Sequence, residues 1–116
     1  MALTLKLLGT GQITTTTETN ITQNSQTTKA LLVKNVILTN LSGTPAALEI
    51  YVKKGGTGTA WQVVPKPITI PANGQVVLDT ELTLNLNSAS WETLFGKFNT
   101  GSGTIDFVAN GIERDA

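Results

Sequence analysis

Apolar and polar positions alternate along this chain in short runs with a period of two. Leu48, Ile50 and Val52 alternate with Glu49, Tyr51 and Lys53, and Leu82, Leu84 and Leu86 alternate with Thr83, Asn85 and Asn87. A strand sends successive side chains to opposite faces, so each run predicts a strand with one face toward a core. Near the start, Leu3, Leu5 and Leu7 alternate with Thr4 and Lys6. That predicts a short strand or arm with one apolar face, ended by Gly9-Thr10-Gly11, where it is able to hinge. Gln12 to Thr22 is mostly threonine, which favours extended backbone but brings little to a core.

The run from Ala30 to Thr39 is apolar on both sides in places, as a central strand is. Asn35 and the β-branched pair Val36-Ile37 disfavour a helix there. With Leu41 to Pro45 as the turn, this run is expected to pair with Ala47 to Lys53 as a hairpin. Lys54 to Thr59 reads as an exposed Gly-rich loop. Pro71-Ala72-Asn73-Gly74 reads as a turn, with Asn73-Gly74 able to take φ > 0 at both positions, folding Gln75 to Leu78 back toward Ile68 and Ile70. Ser88 to Leu94 opens as one helical turn or as a loop carrying Trp91. Thr104 to Ala109 closes the series, with Ile105 and Phe107 on one face.

The sum is about eight short strands and no long helix. The fold expected is all-β, an antiparallel β-sandwich of jelly-roll or immunoglobulin-like type, with a closed barrel as the alternative. Residues 1–22 form an N-terminal arm or edge strand, and residues 23–116 form the sandwich. Its core is expected to hold Leu38, Leu48, Ile50, Val52, Val63, Val76, Leu78, Leu84, Ile105 and Phe107, with Phe95 and Phe98.

Composition narrows the chemistry. The 116 residues include no histidine and no cysteine. That removes imidazole bases and ligands, thiolate nucleophiles, disulfides and zinc knuckles. Eight basic residues cancel eight acidic ones, which argues against a direct nucleic-acid contact, because such binding rests largely on phosphate neutralisation. No apolar run approaches the roughly 18 residues of a membrane helix. Asp79 and Glu81 flank Thr80, but solvated acids beside a turn are ordinary. Joined with Asn85 or Asn87 as calcium ligands, they lack the EF-hand spacing. Lys53-Lys54 beside Gly55-Gly56 lacks the spacing of a phosphate loop. No cofactor, no metal site and no enzyme are expected.

Four segments together resemble small virion proteins of tailed bacteriophages. They are Lys34-Asn35-Val36-Ile37-Leu38-Thr39-Asn40-Leu41-Ser42-Gly43, Leu48-Glu49-Ile50-Tyr51-Val52, Pro71-Ala72-Asn73-Gly74-Gln75 and Ile105-Asp106-Phe107-Val108-Ala109-Asn110-Gly111-Ile112-Glu113. The likeness runs roughly from Ile13 to Arg114. It implies a virion structural protein assembled in the host cytoplasm, a capsid decoration or cement protein on the major capsid protein, or else a neck or tail component. It further implies a homo-oligomer, a trimer ahead of a dimer or ring, and brings no catalytic residues with it.

Contact is therefore the expected work. Leu3, Leu5, Leu7, Tyr51 and Trp61 are the expected interface residues, with Tyr51 opposite the core face of its strand and hence partly exposed. The leucine row either packs on a partner subunit or the host lattice, or is an ordinary first strand of its own sandwich. Trp61, Asp79, Asn85 and Asn87 are the expected contacts in the alternative function, a carbohydrate-binding module for a host glycan. Sugar recognition needs an aromatic ring with polar groups at its rim.

Overall fold

The computed structural model describes residues 3–55, 57–79 and 81–115, with the backbone alone for residues 3, 4 and 57. Within them lie ten strands: β1 (Leu3–Ile13), β2 (Thr19–Asn20), β3 (Lys29–Asn40), β4 (Ala46–Lys54), β5 (Thr57–Gln62), β6 (Ile68–Ile70), β7 (Gln75–Leu78), β8 (Leu82–Asn85), β9 (Glu92–Phe98) and β10 (Ile105–Asp115). They form two five-stranded antiparallel sheets, a sandwich without a helix among the described residues. In the first sheet the order is β1-β10-β3-β7, and β8 shares the free edge of β3 with β7. In the second the order is β2-β9-β4-β5, and β6 shares the edge of β4 with β5.

The core follows the alternation. Leu48, Ile50, Leu38, Leu84, Ile105 and Phe107 are buried between the sheets, and Val52, Val63, Val76 and Leu78 pack against them half-buried. Gly96 sits where the second sheet meets Ile13, Ile21 and Ile50, leaving no room for a side chain.

Two expected hairpins are absent. β3 and β4 lie in different sheets, and so do β6 and β7. The cause is a corner built on Asn40, which is 1% exposed. Its Nδ2 donates to the carbonyls of Thr44 at 2.9 Å, Ile70 at 3.2 Å and Pro71 at 3.2 Å, and its Oδ1 accepts the Ser42 N–H at 2.8 Å. One buried amide thus ties the turn after β3 to the end of β6 and the turn that follows it. In the turn at Pro71 to Gly74, only Asn73 takes the left-handed conformation, with φ 55°. The stretch from Ser88 to Leu94 is a loop running into β9, with no helical turn.

β1 passes through Gly9 and Gly11 without a break and pairs with β10 from Leu3 to Ile13. The two glycines serve close approach. A Cβ on Gly9 would collide with the Ile21 carbonyl oxygen, and one on Gly11 would lie 3.0 Å from the Phe107 ring. A bulge between Leu7 and Gly9 absorbs Leu8, which packs against the core. A second bulge, at Lys34 of β3, lies across from the Asn110-Gly111 step of β10.

Candidate functional site

The bulge at Leu8 sets which way the leucine row faces. Gly9, Gly11 and Ile13 are opposite Ala109, Phe107 and Ile105, all core-facing. Past the bulge, Leu7 is opposite Asn110 and Leu5 opposite Ile112. Both therefore stand on the outer face of the first sheet, Leu5 79% and Leu7 55% exposed. Leu3 is opposite Arg114; its side chain lies outside the described residues.

That outer face is apolar in rows across the strands. Leu5, Ile112 and Leu32 are directly opposite one another, as are Thr10, Val108, Ile37 and Val77. Val77 is 49% exposed. Six polar residues among them pair sideways. Gln12 Nε2 donates to Asp106 Oδ1 at 2.8 Å, Gln75 Nε2 to Thr39 Oγ1 at 3.0 Å, and Asn110 Nδ2 to Asn35 Oδ1 at 2.8 Å. Groups already bonded to each other cost less to take out of water. The face is suited to being covered.

Tyr51 does not belong to an exposed interface. It does stand on the side of β4 away from the core, but it is 1% exposed. Its ring stacks on Phe95, centroids 5.9 Å apart, with the Lys53 and Lys97 ammoniums each 5.9 Å from its centroid. Its hydroxyl donates to Glu18 Oε1 at 2.6 Å. Glu18 comes from the polar segment between β1 and β3, which is stitched along β9. Ile21 N–H donates to Leu94 O at 2.8 Å, Leu94 N–H to Thr22 Oγ1 at 3.0 Å, and Trp91 Nε1 to Asn24 Oδ1 at 2.7 Å. Phe95 likewise packs in this satellite of the second sheet, outside the main core.

Trp61 is 60% exposed and lines a cleft of about 360 Å³ with Val52, Lys54, Gln62, Val63, Leu82, Thr83, Leu84 and Glu92. Asp79, Asn85 and Asn87 are exposed and do not line it. Asn85 is occupied in a turn, its Oδ1 accepting the Asn87 N–H at 2.8 Å, while its own N–H donates to Glu92 Oε1 at 2.8 Å. Sequence reasoning missed Lys54 and Glu92 here. They are opposite each other in β4 and β9, a relationship only the register reveals. No group of three or more His, Cys, Asp or Glu side chains placed to hold a metal ion occurs among the described residues.

No protein-family model and no curated protein sequence matches the chain. Solved structures do. A chain from the Bacillus endospore appendages, described as a novel family of disulfide-linked pili, is similar with a TM-score of 0.56 and 16% identity, covering 97% of this chain and 88% of that one. The Drosophila NLP-core, whose structure was described for pentamer formation and histone binding, is similar with a TM-score of 0.51 and 11% identity, covering 92% and 98%. A chain of infectious bursal disease virus Gx strain gives 0.49 at 10% identity, covering 97% of this chain and 32% of that one. These likenesses are to the antiparallel sandwich as a fold, shared by diverse proteins, and single out no phage virion family.

Proposed function

We propose that this chain is a virion structural subunit, a capsid decoration or cement protein that works by burying its outer sheet face against neighbours. The observation that carries the reading is the pair of exposed leucines, Leu5 and Leu7, at the β1 edge of a face that has exposed Val77 at its β7 edge and three polar pairs already bonded to each other. From strand rise and spacing, that face covers roughly 600 Å², against about 800 Å² per partner in a standard interface. Covering it stabilises both partners by mass action, which is what cementing requires. The resemblance of Lys34 to Gly43 and of Ile105 to Glu113 to small phage virion proteins supports the particle as the setting. The same fold serves disulfide-linked pili; with no cysteine, this chain is left with non-covalent contacts.

The test is the mass of the free protein and of purified particles. A trimer is expected, with the protein present on the head; a five- or six-copy ring at the neck or tail would move the location and keep the mechanism. The double variant Leu5→Ser/Leu7→Ser should remain folded and lose association. A protein that stays monomeric at all concentrations and is missing from particles would overturn the reading.

A further inference from the structure

Trp61 is opposite Val52, whose side chain packs against the core, so the indole stands on the inward side of β5. An inward tryptophan in a closed sandwich is buried; this one is largely exposed. The facing edge of the other sheet is the short β8, and between β5 and β8 the sandwich gapes into the cleft. Its volume, about 360 Å³, lies at the small end of ligand sites.

The lining has two parts. Val52, Val63, Leu82 and Leu84 join the indole as an apolar floor and wall, and Lys54 and Glu92 form a polar rim, while Gln62, opposite Tyr51, and Thr83, opposite Leu32, border it from positions that face outward. The Asn85 N–H holds Glu92 Oε1 at 2.8 Å, which fixes the carboxylate and leaves its second oxygen as an acceptor. Lys54 faces Glu92 across the ladder and has no ion pair among the described residues. A purely apolar occupant would strip water from Lys54 and Glu92 without replacing its bonds. An ion of either sign would meet the opposite-signed partner together with the like-signed one. An occupant with an apolar face and a ring of both donors and acceptors satisfies every wall.

We propose that this cleft binds one pyranose unit of a saccharide. The sugar's C–H face stacks on Trp61. Its hydroxyls accept from the Lys54 ammonium and donate to Glu92. This site is independent of the outer sheet face and shares only Trp61 with the four residues expected from sequence.

The test uses the full chain labelled with ¹⁵N and titrated with maltotriose, chitotriose and a soluble bacterial O-polysaccharide. At least one probe should shift the Trp61 indole and the Leu82–Leu84 amides saturably. Trp61→Ala should weaken that probe at least tenfold, and Lys54→Ala or Glu92→Gln several-fold, with unchanged circular dichroism. Three results overturn the proposal: no probe moves these signals at millimolar concentration; the shifts survive in Trp61→Ala; or the same signals move with protein concentration alone, which would make the cleft a contact between copies. The association of Leu5→Ser/Leu7→Ser is unaffected by any of these, so the two readings fail separately.

Discussion

Tyr51 and Glu18 are 33 residues apart, and the 2.6 Å bond from the phenol to the carboxylate closes the crossover after β1 over the outside of the second sheet. Lys53 reaches the same oxygen, Glu18 Oε1, at 2.7 Å. A phenol, a carboxylate and an ammonium thus share one point, and the ionisation of Tyr51 depends on Glu18.

Burial first, then the hydrogen bond to Glu18 and the charges of Glu18 and Glu49, push the Tyr51 phenol well above its ordinary value of 10.0. A raised phenol contributes stability that is present below pH 10 and lost as the pH climbs beyond it. Tyr51 is the chain's one tyrosine, so absorbance at 295 nm reports it alone among the tyrosines. At pH 10.0, where a free tyrosine is half ionised, the folded protein should show almost no phenolate. In Glu18→Gln the phenolate should emerge at lower pH.

Burial also opposes the charge on Glu18, but hydrogen bonds from Lys53 and Tyr51 and the charges of Lys53 and Lys97 outweigh it and hold the carboxyl below its ordinary 4.5. A depressed carboxyl stabilises the fold above that value, and the contribution is lost as pH falls through the lower folded value. Glu18→Gln should cost about 1 kcal/mol at pH 7, discounted for its partial exposure. The variant's melting temperature should fall less steeply than that of the natural chain below pH 4.5.

Removing the Asn40 amide takes its bonds from the Thr44 and Ile70 carbonyls and the Ser42 N–H, and leaves Pro71 O with the Gly74 N–H alone. Asn40→Ala should destabilise by about 3 kcal/mol in urea unfolding. Asn40→Asp should cost at least as much, since it sets a carboxylate against carbonyl oxygens.

Gly9→Ala should cost at least about 3 kcal/mol, because the obstacle is the Ile21 backbone rather than a movable side chain. Gly43 has open space around it, and Gly43→Ala should stay within about 0.5 kcal/mol. If Gly9→Ala were as mild as Gly43→Ala in the same unfolding assay, the two segments would not be in contact.

The period-two runs made the strands and most of the core legible. Leu48, Ile50, Ile105 and Phe107 alternate with polar residues, and alternation is a local property. Pairing is not local. The turn after β3 reads like a hairpin turn, yet Asn40 draws in carbonyls from Ile70 and Pro71, some thirty positions later. Tyr51 was rightly placed opposite the core, but its burial depends on Glu18 arriving from another segment. The leucine row was plain in sequence; its direction was not, because a one-residue bulge at Leu8 decides the phase. The cleft showed only its tryptophan, since Lys54 and Glu92 meet through the β4–β9 register.

The order of manufacture has a consequence for how this sandwich forms. β10 lies between β1 and β3 in the first sheet and follows all nine other strands in sequence. On a ribosome, β1 emerges before the other nine strands and has nothing to pair with until β10 has been made. The second sheet can begin earlier, since β4, β5 and β6 are neighbours in both sequence and space. The first sheet therefore closes after synthesis has passed Asp115, by a contact between residues about a hundred positions apart, the kind that forms slowly. Until then the apolar row of β1 is an unpaired strand, and the rate of that closure, more than the stability of the finished fold, governs how much newly made chain escapes aggregation.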